Sequence, residues 1–438
     1  MAASGCSSSP GDGSNEPDGA VQPDGAVQEG ASSNPGTDSG SVDGSKAGPD
    51  GSQVSPESGS GANDSSGADG TGTTDGTESS ETSTDTDSGS CSSACMMTTG
   101  LTHGCAQRFA LGANYAWYNF STDFGGLAAW GQKGVSQNTS QYDGDLATMR
   151  SNGVSAIRWW IFPDFRGDGV AFDTNGNPTG ISATAVADIQ EALALAKKND
   201  VYLVFTIFSF DGFKPTYVDT GVNIRSIAPM VAAATQLTGV LNNVVKPVAE
   251  AAAASPDVDH LLGWDIINEP EWAIAATGDP GVAGQDFSPT SGLTAVTLAQ
   301  MKALINGAIP LLHTATPNAL ASVGWAAAKW SWAFTDITTL DFNQPHIYGW
   351  VDEYWPYTWT PSQLGYTTKP TVYGEFYLAS QPFASDAGGD DPATYSTILN
   401  KWWTNGFAGA WGWSFSSAPA NVSLIKTFAT LKGCAASF

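Results

Sequence analysis

Two glutamates stand at the ends of apolar runs, and they are the first residues in this chain that could do chemistry. In GWDIINEPEW (Gly263–Trp272) a hydrophobic stretch ends abruptly in Asn268, Glu269 and Pro270. In TVYGEFYL (Thr371–Leu378) a second one delivers Glu375 after Tyr373 and Gly374. A carboxylate among apolar residues is costly unless it is paired or used. Two that face each other can divide the labour of glycoside hydrolysis. One protonates the leaving oxygen, and the other captures or stabilises the oxocarbenium-like carbon. Alternatively, both are structural carboxylates, hydrogen-bonded inside the fold.

The elements that must hold them repeat one pattern. From Phe109 onward, eight apolar runs alternate with helical patterns: FALGANYAWY, VSAIRWWIF, VYLVFTIFSF, LLGWDIINE, ASVGWAA, LDFNQPHIYG, TVYGEFYL and GAWGWSFS. Near-continuous hydrophobicity suits parallel strands buried on both faces. Between runs, Thr184–Asp200 has Ala and Leu at helical spacing and lysines near its end. Helical patterns closing on Gly153 and Gly406 end in C-cap residues. Eight strand–helix pairs predict an α/β fold, a (β/α)8 TIM barrel, with two open sheets as the alternative. No glycine fingerprint follows the first run, which disfavours a dinucleotide fold. Barrel active sites lie at the C-terminal ends of the strands, where Glu269 and Glu375 fall. Pro270 cannot donate to a ladder and helps end run four. Strict alternation puts Asp265 and Ile267 on the face of Glu269, and Thr371 and Tyr373 on that of Glu375.

Residues 1–100 differ in kind. They contain no Phe, Tyr, Trp, Leu or Ile, and about 16 carboxylates against the single Lys46. Such a segment cannot offset its ordering entropy by burial, so a disordered Ser/Gly/Asp-rich linker is expected there. The folded domain is expected over 101–438. The formal net charge of −26 argues against a nucleic-acid partner, which requires a basic face. The folded part is poor in Lys and Arg and rich in Trp and Tyr, as sugar contact demands. Cys105 and Cys434 bracket it and could staple its ends, while Cys91 and Cys95 could pair with each other. The cysteines do not cluster with histidines, so no zinc site is suggested. An exported, oxidising setting follows from these pairings. ASGC at Ala3–Cys6 resembles the end of a bacterial lipoprotein signal, and a lipid on Cys6 with a flexible spacer behind it would tether the domain to a membrane. No run is long enough for a transmembrane helix.

INEP at the end of run four and YGEF at the end of run seven resemble glycoside hydrolase family 5, which includes cellulases and β-mannanases. The resemblance covers the whole folded domain in strand order. It implies Glu269 as general acid/base, Glu375 as nucleophile, and Asn268 bonding the sugar 2-hydroxyl. It also implies Arg158, in IRWW, near Glu375, His346 and Tyr348 of HIY lining the cleft with Tyr348 bonding Glu375, and Trp413 of WSF under the reacting sugar. Arg158 could instead pair with Asp265, and His346 could be a core histidine. Many members carry a histidine at the end of strand three, where this chain reads TIFSFDGF with Ser209 and Asp211. That departure shifts weight from cellulase-like toward mannanase-like relatives. The expected activity is endo-acting, retaining hydrolysis of a β-linked polysaccharide, β-mannan or β-glucan, by an extracellular or cell-surface monomer without metal or organic cofactor. A tethered sugar-binding barrel and a transglycosylase are the alternatives. Aromatics in GWVDEYWPYTW after run six suggest extended sugar subsites or a self-packed loop.

Overall fold

The computed structural model describes residues 95–275, 287, 289–352, 354–378 and 394–438. The expectations placed on 1–94, including lipidation of Cys6, lie outside the described residues. All eight apolar runs form parallel strands: β1 Ala110–Asn114, β2 Ala156–Trp160, β3 Tyr202–Ser209, β4 Leu261–Asn268, β5 Leu320–Trp325, β6 Gln344–Pro345, β7 Val372–Tyr377 and β8 Gly409–Trp413. Each pairs with its sequence neighbour, and β8 pairs with β1. The β6–β7 seam is closed by two isolated parallel bridges, Asn343 with Thr371 and His346 with Glu375. This is the expected (β/α)8 architecture, and a closed sheet has no edge to protect.

Its outer helices include α1 Thr139–Ser151, α2 Ala183–Lys198, α3 Lys246–Ala253, α4 Leu298–Ala315, α5 Tyr395–Thr404 and α6 Ser423–Lys432. The Ser182 hydroxyl caps α2 by accepting from the Ala185 N–H, and Lys197 and Lys198 lie in its last turn. Gly153 and Gly406 follow α1 and α5 with φ of +91° and +86°, a conformation that favours glycine. The elements that follow the strands are not of equal length. Among the described residues, β5 is followed by a 3-10 turn, Ala328–Ala333, and β6 by the short Gly349–Asp352. Alanine and tryptophan packing replaces helical periodicity there: Trp330 is buried against Trp272 and Phe287.

Hydrophobic side chains fall into two bodies. The larger fills the shell between strands and helices. The smaller plugs the barrel floor with Ala110, Ala156, Val204, Leu262, Phe342, Val372, Ala408 and Trp411. The barrel is therefore apolar below, and the Arg158 cluster lies above that floor, toward the strands' C-terminal mouth. Trp355 and Trp359, from the loop after β6, pack against the shell, while Tyr354 stands exposed.

The cysteine pairing differs from expectation. Cys434 bonds to Cys95, with Cα atoms 5.3 Å apart, and not to Cys105, which is itself disulfide-bonded. A pairing of Cys95 with Cys91 is excluded for the same reason. The reason is local. Leu101–His103 and Ala106–Arg108 form a hairpin, and Met97 N–H donates to Gln107 O. That fold-back brings Cys95, rather than Cys105, to the C-terminal turn. The expected linker boundary at residue 100 thus falls inside a packed segment. Replacing both Cys95 and Cys434 by Ser should cost about 2–4 kcal/mol of unfolding free energy in denaturant titration, because a loop of very long span is released. An unchanged midpoint would mean that the hairpin alone holds the terminus.

Candidate active site

Arg158, central on β2, is wholly buried and has acceptors on every side. Its Nε and Nη2 donate to Asp265 Oδ2 at 3.0 and 2.6 Å, Nη2 to Asn268 Oδ1 at 2.7 Å, and Nη1 to Asn114 Oδ1 at 2.9 Å and Glu375 Oε1 at 2.6 Å. The two sequence-level options, Glu375 or Asp265 as partner, are both realised. Burial alone would lower the Arg158 pKa, but the charges of Asp265 and Glu375 outweigh it and hold it above the ordinary value. A planar fork can serve acceptors on three strands at once, and a lysine could not.

Glu269 follows the end of β4 and is 14 % exposed. Its backbone is left-handed, with φ +46° and ψ +52°, and its N–H donates to Gly324 O at 2.8 Å. A non-glycine residue held there costs of order 1–3 kcal/mol, and such strain concentrates at functional sites. Oε1 lies 2.7 Å from His346 Nδ1, and Oε2 accepts from Trp272 Nε1 at 2.8 Å. Burial, partly offset by Trp272 and Arg158, pushes the Glu269 pKa up to about 7. Burial also lowers His346 to about 4, so its imidazole is neutral near pH 7.

Glu375, on β7, is 5 % exposed. Oε2 accepts from Tyr348 Oη at 2.7 Å and lies 3.5 Å from His346 Nδ1. Its backbone carbonyl accepts from Ile347 N–H at 2.9 Å, which fixes the strand-six residues beside it. Burial raises its pKa, against the opposing pull of His346, Arg158 and Tyr348. Ligand atoms of Glu269, His346 and Glu375 all lie within 4.8 Å of one another. That set has the types to hold a divalent cation. Each carboxylate, however, already has protein partners.

Strict alternation fails on both strands. Ile267 and Tyr373 do not share the inward face with the glutamates; Ile267 joins the shell, and Tyr373 packs on Trp402 and Phe407. The cause is a register shift on each strand. Between Asp265 and Asn268 β4 spends three steps against two on β5, and between Tyr373 and Phe376 β7 does so against β8. Bulges of this kind re-aim side chains. Asp265 keeps its inward direction as expected.

No protein-family profile matches the chain. It is 26 % identical over 347 residues to the mannan endo-1,4-beta-mannosidase of Mytilus edulis, covering 72 % of this chain and 86 % of that protein. The enzyme of the same name from Cryptopygus antarcticus is 23 % identical over 346 residues, covering 72 % and 82 %. The crystal structure of the Mytilus edulis β-mannanase superposes with a TM-score of 0.60 at 24 % identity, over 74 % of this chain and 92 % of that one. The chain shares the (β/α)8 barrel fold of that β-mannanase.

In this barrel, six of the seven residues singled out in the sequence converge. Trp413 stands at one remove. It is half-buried, and its ring lies 5.5 Å from Trp160 and 5.9 Å from Trp117. Trp160 in turn takes the Arg158 guanidinium at 5.3 Å. At the end of β3, Ser209 pairs in register with Asn268, and its hydroxyl donates to Asp211 Oδ2 at 2.9 Å. The histidine-free strand end is therefore a serine–aspartate pair. Sequence reasoning missed Asn114, which accepts from Arg158 and donates to Gly374 O at 2.9 Å. Its place at the tip of β1, in GANY, was the available signal. It also missed Trp272, three residues after Glu269.

Arg158→Met should cost about 3–5 kcal/mol in urea unfolding at pH 7, since it strands buried carboxylates. A carboxyl whose folded pKa is raised, as Glu375 already is, favours folding below its unfolded pKa and loses that contribution as pH rises through the folded value. The deficit should therefore shrink toward pH 4. A deficit that grows on acidification would show that the guanidinium does not compensate these groups.

Proposed function

We propose that this chain is an endo-acting retaining β-1,4-mannanase, with Glu375 as nucleophile and Glu269 as acid/base. The observation that carries the reading is the pair of carboxylates with atoms within 4.8 Å and unlike partners. Retaining enzymes hold the two about 5–5.5 Å apart, and inverting ones about 6.5–9.5 Å. The mannan preference rests on the two mannosidases named above, which match most of this chain.

The roles follow from the partners. Glu375 touches a guanidinium and a phenol, both of which favour its anion. Glu269 touches a neutral imidazole and an indole, and desolvation leaves it the proton. Glu375 attacks the anomeric carbon as the glycosidic C–O bond breaks, and the Glu269 proton goes to the departing oxygen. Bonded to the sugar, Glu375 carries no charge. Glu269 can then ionise and take a proton from water, whose oxygen attacks the same carbon and restores the Glu375 carboxylate. Asn268, held by Arg158, is placed to meet the 2-hydroxyl, and Trp413 offers a face for the ring. The Cys95–Cys434 bond fits an exported protein. Among the described residues no helix is long and apolar enough to cross a membrane. Tethering through Cys6 and a monomeric state belong to the same proposal.

Reducing-end release should be seen on soluble β-mannan in preference to β-1,4-glucan or mixed-linkage glucan, and should fall at least about 10³-fold in both Glu269→Gln and Glu375→Gln. The first-formed product should keep the β configuration by proton NMR. Binding to mannan with no release would instead favour the sugar-binding barrel, and predominantly longer products a transglycosylase. Because the acid must be protonated, kcat/KM should decline as pH rises through about 7, the Glu269 value. A profile flat from pH 6 to 9 would remove Glu269 from the acid role.

A further inference from the structure

Trp272 reaches the Glu269 carboxyl through its indole nitrogen. Its Nε1–H donates to Glu269 Oε2 at 2.8 Å, and indole nitrogen is a donor only. The contact is built rather than incidental. Pro270–Ala273 form a 3-10 turn that starts from the left-handed Glu269, so residues three apart double back on each other. Trp272 N–H donates to Glu269 O at 3.3 Å, and its carbonyl accepts from Thr290 N–H at 2.9 Å. Its ring meets the buried Trp330 edge-to-face at 5.3 Å. The turn itself is pinned by Glu271, whose buried Oε2 accepts from Ala326 N–H at 3.2 Å.

We propose that Trp272 is a positioning residue that fixes the plane of the Glu269 carboxyl and selectively stabilises its anion, the form that activates water in the second half of the reaction. This rests on the acid/base assignment of Glu269 made above. A donor aimed at Oε2 strengthens as that oxygen gains charge. His346, neutral at Oε1, can accept a proton from the acid form and offers the anion no cation. The indole, a donor in every protonation state, is therefore the fixed neutral donor at Oε2 that eases ionisation once Glu375 has lost its charge. The other groups facing Glu269 come from several elements: Arg158 on β2, Asp265 on β4, His346 and Tyr348 after β6, Glu375 on β7, and Glu271 on its own turn. None of them donates to Oε2. The hydrogen bond from Trp272 lowers the Glu269 pKa, in the direction this role requires.

Trp272→Phe keeps a ring against Trp330 and removes the donor. The alkaline limb of kcat/KM should move up by about one pH unit. With an aryl mannoside bearing a good leaving group, kcat should fall at least about fivefold with a lower KM, as the glycosyl-enzyme accumulates. A folded variant with an unmoved alkaline limb overturns the proposal. A second measurement requires neither turnover nor that variant. In protein carrying 15N-tryptophan, one indole N–H resonance should titrate with a midpoint near 7 and stop titrating in Glu269→Gln. No indole resonance that depends on Glu269 would overturn the proposal even if the enzyme proves inactive on every mannan. A titrating indole in an enzyme without glycosidase activity would uphold the bond and reject the mechanism it serves.

Discussion

A guanidinium with no access to water has to be surrounded by acceptors, and Arg158 imposes that requirement on the upper half of the barrel. Desolvating it would cost several kcal/mol if any part of its fork faced apolar atoms. The acceptors come from β1, β4 and β7, at Asn114, Asp265, Asn268 and Glu375. Because the fork is planar and rigid, it dictates where those four side chains end, and so where three strands sit around β2. The apolar floor below leaves no alternative depth for these groups.

Regular strands could not meet that demand. Alternation sends only every second side chain inward, yet Asp265, Asn268 and Glu269 are all needed on β4 and its tip. Gly374 and Glu375 both face the interior on β7. The register shifts supply the missing inward residue, and the left-handed backbone at Glu269 turns its carboxyl back over the mouth. Glycine is required where the chain then comes closest. A Cβ at Gly374 would stand 2.6 Å from Gln344 Cγ, and one at Gly324 would stand 3.0 Å from both Arg158 Nη2 and His346 Nε2. The small residues in YGEF and SVGW are there for the side chains opposite them.

These features explain what could be read in advance. The eight strands were legible because a sheet buried on both faces writes itself as continuous apolar runs. Glu269 and Glu375 were legible because each breaks such a run. Arg158 stood out as a cation inside IRWW. The bulges were not legible, since an extra residue in a hydrophobic run leaves the composition unchanged; hence the wrong faces for Ile267 and Tyr373. The disulfide was not legible either. Three cysteines within fifteen positions, Cys91, Cys95 and Cys105, offer several closures, and only the Leu101–Arg108 fold-back decides which one reaches Cys434. Trp272 closes GWDIINEPEW, but a tryptophan after a strand reads as packing until a carboxylate is found on its nitrogen.

His346 shows why burial, and not charge alone, organises the pair. Its Nδ1 lies 2.7 Å from one glutamate and 3.5 Å from the other. As a cation it would stabilise both anions together, and neither could serve as an acid near neutral pH. Full burial, reinforced by the positive charge of Arg158, outweighs the pull of the carboxylates and keeps the ring neutral down to about pH 4. The one strong cation of the cluster is then Arg158, and it touches Glu375 but not Glu269. Two chemically identical residues, both desolvated, are thereby separated by which of them the guanidinium reaches. Under the proposed mechanism the same separation lets the proton move. Each carboxylate disfavours ionisation of the other, so the loss of charge on Glu375 in the covalent intermediate is what Glu269 senses as its cue to ionise.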